Sequence, residues 1–245
     1  MRRHRDDVVL TPSQDAYISE WYPKTNFGDS PVLFVSNYQK RNDVYRSLIQ
    51  FDLFDRRRRP IPPRCRIEKA TLELKVFRNE VCGRIDLKLF RVLENWRENR
   101  VTWDNQPDIA RRPAAVERIR EGFFGTVKFD ITDLVRGWHS GRIANNGVMI
   151  KGDEERNNLV AFHSREARNS DLWPRLIIEL DCRDRDCGDR FIFTERANIF
   201  NADCRDDHSD RDRDCDCAWD CDCDFDHDRD HDHDHDRDSC SDLEE

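Results

Sequence analysis

No apolar run in this sequence approaches the about 20 residues a helix needs to cross a bilayer, so no membrane span is expected. The opening Met1-Arg2-Arg3-His4-Arg5-Asp6-Asp7 is followed by only Val8-Val9-Leu10 before Thr11-Pro12, too short for the apolar heart of an export signal. That predicts synthesis in the cytosol and no export by the usual signal route. Catalytic motifs are missing as well: there is no phosphate-cradling glycine loop, no His-Glu-x-x-His and no nucleophile elbow. Residues 8–181 contain two histidines, His139 and His163, and the stretch His163-Ser164-Arg165-Glu166 reads as a strand end with an ion pair. Carboxylates are too plentiful for any pair of them to single itself out. A non-catalytic protein is therefore expected. Cysteine is scarce in the same stretch, with Cys65 and Cys82 alone, so the body is not expected to need disulfides.

Charge, by contrast, is abundant, at 38% of residues, and it is unevenly placed. Residues 182–245 hold 24 of the 51 acidic and 9 of the 42 basic side chains, a net −15 that leaves +6 for the rest. Asp alternates there with Arg, His or Cys, and so polar a segment cannot offset about 1–2 kcal/mol of backbone entropy per residue. A disordered acidic tail is predicted, with Phe191-Ile192-Phe193 and Ile199-Phe200 as its apolar exceptions. Eight cysteines, Cys182 among them, fall in this tail. The thiols of Cys215, Cys217, Cys221 and Cys223 and the imidazoles of His227, His231, His233 and His235 suit zinc or another transition metal. The same thiols would crosslink when oxidised, and a solvating polyanion is the plainer alternative. A basic body and an acidic tail also predict self-association.

From Val8 to Leu180 short runs rich in β-branched and aromatic residues alternate with turn residues, a pattern of strands. The clearest are 32–35, 45–53, 70–76 and 85–90, followed by 126–131, 148–151, 159–162 and 175–180. Eight or more antiparallel strands predict an all-β, two-sheet jelly-roll sandwich. One short helix is expected at 132–138, capped by Thr132 or Asp133 and ended by Gly141. Arg56 to Arg59 before Pro60-Ile61-Pro62-Pro63 read as a basic surface loop. The expected division is an extension at 1–7, a sandwich at 8–181 and the tail at 182–245.

Several stretches, in order, carry a resemblance: Asp15-Ala16-Tyr17-Ile18, Thr25-Asn26-Phe27-Gly28, the run from Arg46 to Leu53, the run from Trp96 to Pro107, Asp130-Ile131-Thr132 with Trp138, Asn145-Asn146-Gly147, and Phe162-His163-Ser164-Arg165-Glu166 before Pro174-Arg175-Leu176. Together they resemble the DNRLRE-domain family, a β-jelly-roll group classed with carbohydrate-binding modules, over residues 8–180. The resemblance implies that fold and a surface-binding role, often beside secreted glycan-active enzymes.

A flat indole face is what a sugar ring stacks on. Trp96, Trp103 and Trp138 lie between apolar positions and are expected in the core. Trp21, Tyr22, Tyr38 and Trp173 sit at turn-like positions and are the glycan candidates. Asp15, Asn26 and Asp29 offer hard oxygens near a glycine turn, the chemistry of calcium, with Asx turn capping as the ordinary account. Nucleic acid is not expected as a partner, because the tail would compete for the body's arginines. The combination favours a structural or surface-layer protein of a spore or cell surface. A carbohydrate-binding module targeting a polysaccharide is the alternative.

Overall fold

The alternating runs become eleven strands and one helix in a computed structural model that describes residues 4–38, 41–53, 61 and 65–182. The strands are β1 (His4–Leu10), β2 (Gln14–Ser19), β3 (Val32–Asn37), β4 (Val44–Gln50), β5 (Cys65–Asn79) and β6 (Arg84–Arg91). They continue with β7 (Ala115–Arg120), β8 (Thr126–Asp130), β9 (Val148–Lys151), β10 (Val160–His163) and β11 (Arg175–Cys182). The helix α1 (Thr132–His139) lies between β8 and β9. The described residues belong to one unit, Met1–Asp189. Expectations for Arg56 to Arg59, Phe191 to Phe200, and the thiols and imidazoles from Cys215 to His235 fall outside the described residues.

The all-β, antiparallel expectation holds for every strand pair. Hydrogen bonding does not separate two sheets, however. One path runs β1-β11-β5-β10-β3-β4-β9-β6-β7, with β2 added at β4 and β8 at β5, and it curls into a half-barrel. The 15-residue β5 provides the continuity: Cys65 to Glu73 pair with β11, and Val76 to Asn79 with β10. Register shifts at Glu179/Leu180 and at Ala161/Phe162 flank the handover, and such bulges bend a strand and increase its twist.

The inner face of the curl buries Leu72 and Leu74 of β5, Phe129 of β8 and Ile178 of β11 with Leu87 of β6, Ile150 of β9 and Phe162 of β10. A second, smaller cluster joins Ala16 and Ile18 of β2 to Leu48, Met149, Trp96 and Val101. Leu48 and Ile49 therefore point into different clusters, as do Met149 and Ile150. Strands covered on both faces read as continuous apolar runs, which is what 48–49 and 148–150 are. Trp96 and Trp138 are buried as expected, and the Trp96 indole N–H donates to the Asn146 carbonyl at 2.9 Å.

The helix differs from expectation at its start. Neither Thr132 nor Asp133 caps it. The flanking residue is Ile131, and the Thr132 N–H and hydroxyl both donate to Asp130 Oδ1 while the hydroxyl accepts from the Ala70 N–H. Tying α1 to β5 in this way outweighs a local cap. Gly141 does end it, with φ at +69°.

Cys65 and Cys182 form a disulfide across the β5–β11 ladder, where the two are direct partners 117 residues apart in sequence. This corrects the expectation that Cys182 is a tail thiol, and it gives the body a disulfide that it was not expected to need. β1 pairs with β11 from His4 opposite Cys182 to Leu10 opposite Leu176.

Candidate functional site

The connections β2–β3, β3–β4, β6–β7 and β9–β10 meet around an open groove of about 500 Å³. Its centre is Arg46 of β4. The guanidinium donates to both carboxylate oxygens of Glu154, from Nε at 2.8 Å and Nη2 at 3.0 Å, and from Nη1 to Gln106 Oε1 at 2.6 Å. It lies 4.3 Å from the centroid of the Trp103 ring. A planar guanidinium held by a fork and a ring face has little freedom left, so the groove is preorganised. Burial pushes the Glu154 carboxyl upward, but Arg46 and then Lys151 more than offset this and hold it below the usual carboxylate range. Arg41, Asn42, Glu20, Glu155 and Asn157 add polar groups around the rim.

At the end of β3 the chain is strained where it meets the groove. Ser36 has φ +77°, an unusual value for a residue with a side chain. The next residue, Asn37, is 8% exposed; its Nδ2 donates to the Glu154 carbonyl at 3.1 Å, while its Oδ1 is buried and accepts from no donor among the described residues. A buried acceptor without a donor is costly unless a bound group supplies one.

The four aromatic candidates separate here. Trp21 (48% exposed) and Tyr22 (53% exposed) directly follow the rim residue Glu20. Their loop is tied to the Trp103 segment by the Asp104 N–H donating to the Pro23 carbonyl at 3.0 Å. Tyr38 sits under the Arg78 guanidinium at 5.1 Å, and the Trp173 indole N–H is committed to the Ala167 carbonyl at 2.7 Å. Trp103, expected in the core, is only partly buried: it packs on the second cluster and also lines the groove under Arg46. Position between apolar residues does not reveal that a ring has one face in the core and an edge in a cleft. A larger groove of about 820 Å³ beside α1 is lined by charged and aliphatic side chains without an aromatic ring.

The oxygens expected to gather around calcium are not brought together as a set. Asn26 is a turn-former: Nδ2 donates to the Glu98 and Val101 carbonyls, both at 2.7 Å, and Oδ1 accepts from the Gly28 N–H at 3.2 Å. Asp29 is exposed. Asp15, fully buried, instead meets Glu98 and Glu166, the three presenting carboxylate oxygens within 4.8 Å of one another. Burial first, and then the Glu166 carboxyl beside it, pushes the Asp15 carboxyl up to about 8.

The model of carbohydrate-binding module family 96 matches residues 6–179. The match supports the carbohydrate-binding class that the sequence motifs implied, under this description and not under the DNRLRE name. No curated protein matches the chain.

Proposed function

The chain belongs to carbohydrate-binding module family 96, and from that premise we propose that it binds a glycan in the groove around Arg46, with Trp21 and Tyr22 as the stacking platform. The observation that carries the reading is a buried, donor-free amide oxygen, Asn37 Oδ1, in a groove whose rim residue Glu20 is followed along the chain by two exposed rings, Trp21 and Tyr22. A sugar ring offers an apolar C–H face for the first and hydroxyl donors for the second. Arg41, Asn42 and Asn157 supply donors for ring and hydroxyl oxygens, and Glu155 an acceptor. Modules of this kind are generally non-catalytic.

The family match favours this reading over a purely structural role at a spore or cell surface, which rests on the sequence alone. Metal binding or crosslinking by residues 182–245 rests there too.

A polysaccharide affinity gel or glycan array with the whole chain tests the proposal. Trp21→Ala should weaken binding at least tenfold, a loss of about 1.4 kcal/mol, while the melting temperature stays unchanged. Binding that survives Trp21→Ala and Arg41→Ala at full strength would place the glycan elsewhere.

A further inference from the structure

Away from the groove, the three carboxylates around Asp15 come from segments far apart in sequence. Asp15 lies on β2, Glu98 in the β6–β7 connection and Glu166 just after β10. Their surroundings are unusually specific. The Asp15 N–H donates to Glu98 Oε1 at 2.8 Å, and Asp15 Oδ2 accepts from the Arg165 N–H at 2.9 Å. Arg165 Nη2 donates to both Glu98 oxygens, at 3.0 and 2.9 Å, and its Nε pairs with Glu166 Oε1 at 3.3 Å. Two acceptors are left over: Asp15 Oδ1 and Glu166 Oε2 are buried and have no hydrogen-bond donor among the described residues. Asp15 itself is fully buried.

Two buried carboxylate oxygens cannot face each other without something positive between them. Three carboxylates set against the Arg165 guanidinium also carry two formal negative charges in excess, the charge of one divalent cation. The donor atoms are all hard oxygens, with no imidazole or thiolate among them. That set suits calcium or magnesium and disfavours zinc and copper. An ion about 2.3–2.6 Å from each ligand can bridge oxygens spread over as much as 4.8 Å, which is wide for the tighter octahedron of magnesium.

We propose that Asp15, Glu98 and Glu166 form a calcium site that fastens β2, the β6–β7 connection and the end of β10 to one another. The ion takes the leftover oxygens Asp15 Oδ1 and Glu166 Oε2 together with a Glu98 oxygen, and Arg165 orients Glu98 from the other side. A proton shared by Asp15 and Glu166 is the competing way to relieve the repulsion. The site does not depend on the glycan reading, since none of its ligands lines the groove.

Thermal unfolding of the full chain separates the alternatives, at pH 8 and followed by the loss of β-sheet circular dichroism. Calcium at about one hundred times its dissociation constant should raise the wild-type Tm by roughly 5–10 °C over the same protein in EDTA. Asp15→Asn and Glu166→Gln should fold in EDTA and lose the calcium response, while keeping whatever calcium residues 182–245 take up. Should Asp15→Asn fail to fold, Glu166→Gln decides, since Glu166 is only partly buried. A wild-type Tm indifferent to calcium means a shared proton only, and a shift equal in wild type and variant means that calcium binds elsewhere. Either result overturns the proposal.

Discussion

Asp15 illustrates how one side chain can link sequence, packing and pH. Its ordinary carboxyl value is 3.8, and in the fold burial and Glu166 move it to about 8. The folded chain therefore holds this proton more tightly than the unfolded chain does. The resulting stabilisation is fully present below about pH 4 and is lost as pH rises towards about 8. Because Asp15 and Glu166 face each other, the titration belongs to the pair. In EDTA, wild type should lose Tm relative to Asp15→Asn across that window, and the two curves should run parallel below it. Melts taken at unit intervals of pH check this, and a difference that stays constant from pH 4 to 8 would show that the proton on Asp15 contributes nothing. Trp103 makes a different point at the same scale. Its neighbours suggested a core ring, yet the side chain's role depends on Arg46 lying over it, and Arg46 is brought there by the pairing of β4, not by local sequence.

At the scale of elements, two motifs prove to be one device. In Asn26-Phe27-Gly28 and Asn145-Asn146-Gly147 the first asparagine accepts the glycine N–H at 3.2 Å and donates its own amide to a distant carbonyl, Glu98 in one case and Phe51 in the other. Each glycine has a separate reason for lacking a side chain. A Cβ on Gly28 would collide with the Glu98 carbonyl, and one on Gly147, at φ +78°, with the Ile49 carbonyl. Gly28→Ala and Gly147→Ala should each cost about 2 kcal/mol or more, read from denaturant unfolding, whereas alanine at Gly122, where a Cβ meets nothing, should cost less despite its positive φ. These motifs were visible in the sequence as spacing, but their carbonyl partners were not. Strands covered by packing on at least one face, such as 70–76 and 148–151, were equally legible. β7 was not, because in Ala115–Arg120 only Ile119 is buried and the charged residues between leave no apolar signal. The Asp15 cluster was invisible for another reason. Acidic residues are so frequent here that nothing marks Glu98 and Glu166 as partners until β2, the β6–β7 connection and the end of β10 are brought together.

For the molecule as a whole, the Cys65–Cys182 disulfide matters most, because it closes the longest covalent loop among the described residues. It joins the first residue of β5 to the last residue of β11, and β11 in turn carries β1, so the first and last of the described strands along the chain are tied to the longest one. Cross-linking residues 117 apart removes unfolded-state entropy worth about 5 kcal/mol in the loop-closure account, a large share of the about 5–15 kcal/mol that holds a domain together. Such a bond persists where the surroundings are oxidising. Adding a thiol reductant should therefore lower the Tm of the oxidised chain by about 10 °C, and a Cys65→Ser, Cys182→Ser double variant should melt at that lower temperature with or without reductant. Comparing the two also separates this bond from any other thiol chemistry, including that of the exposed Cys82. If reductant lowers the wild-type Tm while the oxidised double variant melts like oxidised wild type, the stabilising crosslink lies elsewhere in the chain and the β5–β11 bond is dispensable.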